Sequence, residues 1–576
     1  MSATLLQAAF ASHRAGNLEA AIGYYRDCLA ADADQSAVYD YLGVAYTGLP
    51  EHGPDAVRAF RRSLLLEPGR SSVLSNLATL YAHASDDPRA LLWFRRASKT
   101  EPLRADNWAR QASCAVRLGQ NTEALICLEA ACMCAPTDST HWEHLGTLLR
   151  RMGRRADAER VIQNGLLITP EAGRLWSSHS ATLLEMDHVA AAMQYGRMAT
   201  IAAPTDSEAF GNLAQAFYRS GQIEAAISSG AQAMRFDPQN PTITFNLAIY
   251  LLTNGDMARG WPLYEARLIP LRRMTRNLPP QRWTPDISGP DVHLLVYAEQ
   301  GLGDEVMFAT CFPELQVLLA RGELGSVTIE CTDRLRALFE RSFPEFRFFD
   351  RIRKPDQRLH PADYGTIVSE RGCTHEIATG SLPKLFRPDQ ARFPDTLAIL
   401  APDPDRIEYW KRWLTSKGDG PWIGLSWRSR AKRDLEAVYY PGPGNLGPVL
   451  DIPGAAFVTL QYDEDAEELT RIETENGVRI LRPDGLDLTN DLDGVVALIS
   501  VLDAVVSPQN LVLSLAGALG KKGYSMPHVL NWVSLGTGRM PFFPSIEVDI
   551  RRKNEGLDWK PVMERLAKRA RSDLGL

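Results

Sequence analysis

Six prolines, Pro68, Pro102, Pro136, Pro170, Pro204 and Pro238, stand 34 residues apart, and this period limits what the first half of the chain can build. Other columns keep the same register: Ala90, Ala124, Ala158, Ala192 and Ala226; Gly119, Gly153, Gly221 and Gly255; Trp108, Trp142 and Trp176. Together they describe a helix–turn–helix unit. Glycine lets the chain leave the first helix, alanine allows two helices to approach closely, and proline stops the second. Repetition at this length marks a stack of such units, since one unit alone cannot bury its apolar face.

The pattern resembles the tetratricopeptide repeat. About eight units fit between Ser2 and Pro270, the first degenerate and the second with one extra residue near Gly53. Such stacks form a curved α-solenoid whose first helices line the concave face. Asn76, Asn212 and Asn246 share the sixth position of a repeat on that face. Each amide offers a donor and an acceptor, so a row of them can hold an extended acceptor peptide whatever its sequence. The other reading is that they join neighbouring repeats; Arg110, His144 and Ser178 interrupt the row.

Composition narrows the class. A chain of 576 residues is about four times the usual single-domain size, so two or more cores are expected. Hydrophobic residues at 45% and charged residues at 23% fit a soluble globular protein and exclude a disordered or collagen-like one. Lys plus Arg total 63 against 70 Asp plus Glu, which gives no basic field for a nucleic-acid partner. The apolar run Val495 to Val506 is broken by Asp503 and is too short for a bilayer, so no membrane partner is expected. The opening MSATLLQAAFASHRAGN lacks the basic and apolar regions of a signal peptide. Eight cysteines without paired spacing suit a reduced, cytoplasmic protein. Cys127, Cys132 and Cys134 cluster in one helical segment, where small buried core residues are favoured over a zinc site.

The period then changes. Residues 1–272 form the solenoid, and the proline-rich 273–290, including TRNLPPQRWTPDISGP, reads as a linker. Strand candidates follow at Val292 to Ala298, Ser326 to Glu330, Trp422 to Trp427, Ala456 to Leu460 and Ala504 to Ser507, with helical segments between most of them. Alternation of this kind argues for parallel sheets covered on both faces. Two sheet domains, 291–405 and 406–576, are expected, with a hinge at Ala401 to Asp405. The final helix, about Leu557 to Ala570, is assigned to the second half, with a crossing back to the first sheet domain as the other option.

Three segments could carry chemistry. Gln300-Gly301-Leu302-Gly303-Asp304 follows a strand and opens a helix, so its glycines permit a sharp turn beside a ligand and its helix offers free N–H groups. Asp304 is either a plain N-cap or a carboxylate able to take a proton from an attacking hydroxyl, with Glu299 and Glu305 as rivals. After the strand at Trp422 come Arg428, Arg430, Lys432 and Arg433, cations suited to a phosphate leaving group or simply a solvated loop. Ser507-Pro508-Gln509-Asn510 precedes the helix Leu511–Gly520 and again presents amides and helix N–H groups.

Gly260-Trp261, Tyr264-Glu265-Ala266-Arg267, Arg282-Trp283, AEQGLGDEVMFAT, LAGALG and Phe543-Pro544-Ser545 before a late strand form an ordered series over almost the whole chain. It resembles the tetratricopeptide proteins with a heptosyltransferase-like region. The resemblance implies a GT-B glycosyltransferase, an α/β fold of two Rossmann-like domains with a nucleotide-sugar between them, usually independent of metal. It implies Asp304 as general base and Gly301 and Gly303 at the donor. Arg428 and Lys432 fall at its phosphate contacts, and Gln461 near the nucleoside. Ser507, Gln509 and Asn510 fall at the donor loop. One departure is visible: where the family has an Asp-Thr pair and a His four residues after that Thr, this chain has Gln509, Asn510 and Ser514. The intact glycine turn and basic loop favour a changed donor over lost activity.

A catalytic region behind a peptide-holding solenoid also resembles the O-linked N-acetylglucosamine transferases and, among bacterial chains, the flagellin glycosyltransferases. The latter resemblance implies a CMP-linked nonulosonic acid such as CMP-pseudaminic acid as donor and flagellin as acceptor. No cofactor beyond the donor substrate and no metal ligands are expected. The alternatives are a UDP-sugar-dependent transferase, a non-catalytic scaffold or adaptor, and transfer to a lipid-linked saccharide, over which eight repeats favour a protein acceptor.

Overall fold

The computed structural model describes residues 2–352, 362–429, 440–462, 466–527, 531–552, 555–556 and 558–576, and divides into two compact units, Met1–Ala216 and Phe217–Leu576. Among the described residues sixteen helices follow one another as eight helix–turn–helix units, from Ser2–Arg14 and Leu18–Ala31 to Pro241–Thr253 and Met257–Tyr264. The extra residue of the second unit is taken up by a short turn, Pro50–His52.

The periodic columns have the expected roles. Gly119, Gly153, Gly221 and Gly255 have φ of 71°, 76°, 73° and 82°, the left-handed exit from a helix that glycine adopts without strain. Ser85 and Asp187 take the same conformation in the third and sixth units, which lack that glycine. Ala90, Ala124, Ala158, Ala192 and Ala226 are fully buried. Each indole of Trp108, Trp142 and Trp176 donates to the carbonyl of the proline six residues earlier, at 2.8 Å in all three. Cys127 and Cys132 are packed in the solenoid core, where burial pushes both thiols up to about 12. The Cys134 thiol donates to the Pro102 carbonyl at 3.3 Å.

The second unit holds the last helices of the repeat series and two wholly parallel sheets. The first sheet comprises β1 (Gln281–Arg282), β2 (Gly289–Tyr297), β3 (Leu324–Cys331), β4 (Arg347–Asp350) and β5 (His375–Ala378), in the order β1-β5-β2-β3-β4. The second comprises β6 (Trp422–Leu425), β7 (Ala456–Thr459), β8 (Ile480–Leu481), β9 (Ala504–Val506), β10 (Gly523–Ser525) and β11 (Ile546–Val548), in the order β11-β10-β9-β6-β7-β8. β5, β6 and β9 are buried along their whole length, as strands of a sheet covered on both faces must be. The architecture is therefore a tetratricopeptide solenoid followed by a parallel α/β region.

Strand order reverses between β2 and β5 in the first sheet and between β6 and β9 in the second. At such a switch point the loops leaving the carboxyl ends diverge, and a crevice for ligand opens. One boundary differs from expectation. The proline-rich stretch read as a linker contributes β1, which pairs Gln281 and Arg282 with His375 and Glu376 and buries Trp283. The helix Lys560–Leu574 stays with the second half and does not cross back to the first sheet. Its buried Val562, Met563, Leu566 and Ala570 pack with Ile423, Leu425 and Tyr524 of the second sheet. No helix among the described residues is long and apolar enough to cross a membrane.

Candidate functional site

At the carboxyl end of β2 the chain turns through Glu299, Gln300 and Gly301 into the helix Leu302–Phe308. Three carboxylates lie here, and their contacts separate them. Glu299 accepts from Arg267 Nε and Nη2 at 3.1 and 2.9 Å, from the Gly380 amide at 3.0 Å and from the Thr379 hydroxyl at 3.2 Å. Glu305 is buried and accepts from the Thr332 amide and hydroxyl at 2.9 and 2.8 Å and from Arg351 at 2.8 Å. Half-buried Asp304 accepts from the Gly301 amide at 3.2 Å. The two rivals are therefore tied into the framework, while Asp304 keeps acceptor capacity.

Burial lifts the Asp304 carboxyl to about 6, with nearby Glu299 adding to the rise and the Gly301 amide and Arg351 opposing it. Burial likewise lifts Glu305 to about 7 against the pull of Thr332 and Arg351. A carboxylate near 6 is ionised at neutral pH yet basic enough to accept a proton in a transition state.

The second sheet supplies the facing loops. Beyond β7, Gln461 reaches the loop after β6: its Oε1 accepts from the Ser426 hydroxyl at 3.1 Å and from the Trp427 and Arg428 amides at 2.8 and 3.1 Å, while its Nε2 donates to the Arg428 carbonyl at 3.2 Å. Beyond β9, Asn510 caps the helix Leu511–Ala518, accepting from the Leu513 amide and from the Ser507 hydroxyl at 2.9 Å. Its Nδ2 donates to the Ser426 hydroxyl at 2.9 Å and so joins the two loops across the switch point. Gln509 accepts from Asn531 Nδ2. Buried Gln509 Nε2 and Asn531 Oδ1 have no partner among the described residues.

The two sheets meet at this place. A β-carbon on Gly303 would stand 3.5 Å from Ser514 Oγ and 4.0 Å from Leu511 Cα, so the glycine turn of the first sheet abuts the helix Leu511–Ala518 of the second. Gly303 thus touches the helix that Asn510 caps, and Asn510 in turn shares the Ser426 hydroxyl with Gln461. Two placements qualify the expected roles. The Arg428 guanidinium is paired with Glu468, and both the Oε1 and the Nε2 of Gln461 are engaged by the neighbouring loop after β6. Lys432, with Arg430 and Arg433, lies outside the described residues. Among the described residues no group of three His, Cys, Asp or Glu side chains is placed to hold a metal ion.

The asparagine row is also engaged within the repeats. Asn212 Nδ2 donates to the Ser177 hydroxyl at 2.9 Å, and the Asn76 amide bonds the Asp40 carboxylate. Asn246 is half-buried. Sequence reasoning missed Arg267, Ser381 and Thr379, the residues that secure Glu299. The available signal was the charged pair in Tyr264-Glu265-Ala266-Arg267, set amid apolar surroundings.

Comparison with known proteins agrees with the repeat assignment. Residues 209–271 match the tetratricopeptide repeat family. Over 377 residues, 63% of this chain, the sequence is 37% identical to Protein FlbA of Caulobacter vibrioides, and the match spans 61% of that relative's length. Similar solved structures include the C-terminal part of a repeat protein from Cytophaga hutchinsonii (15% identity, 42% of this chain and 99% of that one, TM-score 0.36). Another is YrrB, described as a tetratricopeptide protein with an unusual peptide-binding site (17% identity, 32% and 96%, TM-score 0.27). The chain is a tetratricopeptide-repeat protein with a parallel-sheet region behind the repeats.

Proposed function

We propose that this chain is a protein O-glycosyltransferase that moves a sugar from a nucleotide-sugar to a Ser or Thr hydroxyl of a protein held by its repeats. The acceptor we favour is flagellin and the donor a CMP-linked nonulosonic acid, with the reaction in the cytoplasm. The observation that carries this reading is the Asp304 carboxylate, which accepts the fewest hydrogen bonds of the three, in the turn whose Gly303 touches the helix that Asn510 caps. Asp304 takes the proton of the acceptor hydroxyl as its oxygen bonds to the anomeric carbon. The bond from that carbon to the nucleotide phosphate breaks, and the nucleotide leaves with the electron pair. The N–H groups opening the helix Leu511–Ala518, with Arg428 and Lys432, meet the growing negative charge.

The test is the intact mass of flagellin incubated with the purified chain and candidate CMP- and UDP-sugars. A gain of one or more sugar masses, lost in Asp304→Ala, is expected. No gain with any donor, while flagellin still binds, would favour the second reading. That reading is a non-catalytic adaptor, and its support is the Arg428–Glu468 pair, which occupies a cation the leaving group needs.

A further inference from the structure

We propose that Tyr264 and Arg267, at the end of the last helical repeat, are positioning residues that set the Gly301–Asp304 turn. The proposal rests on the reading of Asp304 as the base and adds the parts that hold it.

The chain enters the turn through Glu299 and Gln300, and each is tied to that repeat. Arg267 is almost wholly buried and uses its whole guanidinium fork. Nη1 donates to the Tyr264 carbonyl and to Glu265, both at 3.0 Å, Nε and Nη2 donate to Glu299, and Nη2 also reaches the Ser381 hydroxyl at 3.1 Å. The group lies over the Tyr264 ring, 4.4 Å from its centroid. Ser381 in turn donates to Glu265 at 2.8 Å, and Arg282 pairs with Glu265 from β1. The cradle has no spare room: a β-carbon on Gly380 would collide with Glu299 Oε1 and stand 2.9 Å from Arg267 Nη2. Gln300 is held at both ends, its Nε2 donating to the Tyr264 hydroxyl at 2.6 Å and its carbonyl accepting from Arg351 at 2.7 Å.

The next residue is Gly301, whose amide is the donor that holds Asp304. The repeat therefore fixes the backbone that aims the carboxylate, and a shift of about 1 Å in such a group costs on the order of 100-fold in rate. A planar fork is needed at Arg267, since an ammonium cannot serve these acceptors together. The groups facing Asp304 are Glu299, Arg351 and the Tyr264 hydroxyl, with neutral Ser514 on the helix packed against the turn.

The test uses the full chain with Tyr264→Phe and Arg267→Lys. Sugar transfer is measured against pH, with separate kcat and KM, and hydrogen exchange is followed at amides 299–305. Each variant is expected to lose about 10- to 100-fold in kcat with KM nearly unchanged. The acid limb of the pH profile should move to higher pH, because a slackened Gly301 N–H favours the charged carboxylate less. The Gly301 amide should exchange faster in both. Transfer with wild-type kcat and an unmoved limb in both variants overturns the proposal, as does unchanged exchange at Gly301. If the wild-type chain transfers no sugar while exchange still rises, the glycosyltransferase reading fails and the tie to the turn stands.

Discussion

Ser514 Oγ lies 3.5 Å from the point where a β-carbon on Gly303 would sit, so the turn from one sheet and the helix from the other approach with room for a methyl group and little more. Gly303 is not in the left-handed region, and alanine there meets only ordinary van der Waals contact. Gly303→Ala should therefore unfold within about 2 °C of the parent, while the branched side chain of Gly303→Val should cost about 1–3 kcal/mol by overpacking. Thermal unfolding of the two variants reads the difference. Under the proposed function both should also weaken donor binding, since the added carbons occupy the gap between the loops.

Asp304 carries a pH-dependent stability effect whose sign follows from its environment. The carboxyl titrates near 6 in the folded chain against 3.8 when unfolded, so the folded state binds this proton more tightly. Ionised Asp304 then opposes folding above pH 6, and the penalty fades as pH falls toward 4. Asp304→Asn removes it. The variant should be more stable than the parent by on the order of 2 kcal/mol at pH 8 and should converge with it below pH 4. Urea unfolding at pH 8, 6 and 4 measures this. A variant less stable at pH 8 would mean that the carboxylate is net favourably paired.

The left-handed turn between the helices of a repeat gives a third test. Gly153 has φ of 76°, and Asp187 holds φ of 64° at the equivalent place. Gly153→Ala should cost about 1 kcal/mol, because the methyl group meets the backbone in this region. Asp187→Gly should be neutral or gain a few tenths of a kcal/mol, strain relief being offset by the greater freedom of the unfolded chain. The midpoint of the solenoid's denaturant transition reports both. Equal effects of the same sign would show that the turn does not depend on φ at these positions.

These outcomes bear on what a reader of the sequence can see. The solenoid was legible because most units state the same local chemistry again: proline two residues beyond the second helix in the second to seventh units, alanine at the close approach, glycine or a short polar residue at most turns. The Gly301–Asp304 turn was legible for a similar reason, since glycine freedom is local, although the N-cap there is Gly301 and not Asp304. β5 was not. His375 and Glu376 are buried there, and Glu376 is tolerated because Arg272, 104 residues away in sequence, pairs with it. β1 hid in a proline-rich stretch that reads as a boundary until Trp283 is seen buried. The roles of Glu299 and Glu305 were equally hidden, because the partners that occupy them, Arg267 and Thr332, lie 32 and 27 residues away. Three adjacent carboxylates look alike until their partners are known.

The Arg428–Glu468 pair gives the last prediction. Both side chains are mostly buried, 12% and 13% exposed, so the carboxylate cancels much of the positive potential beyond β6. Under the proposed function, a phosphate arriving at the Asn510 cap would compete with Glu468 for the same guanidinium. Glu468→Gln keeps the shape and a hydrogen-bonding oxygen while removing the competing charge. If Arg428 serves the leaving group, the variant should bind CMP or UDP about 3- to 10-fold more tightly, and the gain should shrink between 50 and 500 mM salt as screening grows, to about a 3 Å range at 1 M. Calorimetric titration at several salt concentrations makes the measurement. Unchanged affinity at every concentration would assign the pair to holding the helix Ala466–Asn476 against the loop after β6, and the phosphate would then depend on the helix N-terminus and on cations other than Arg428.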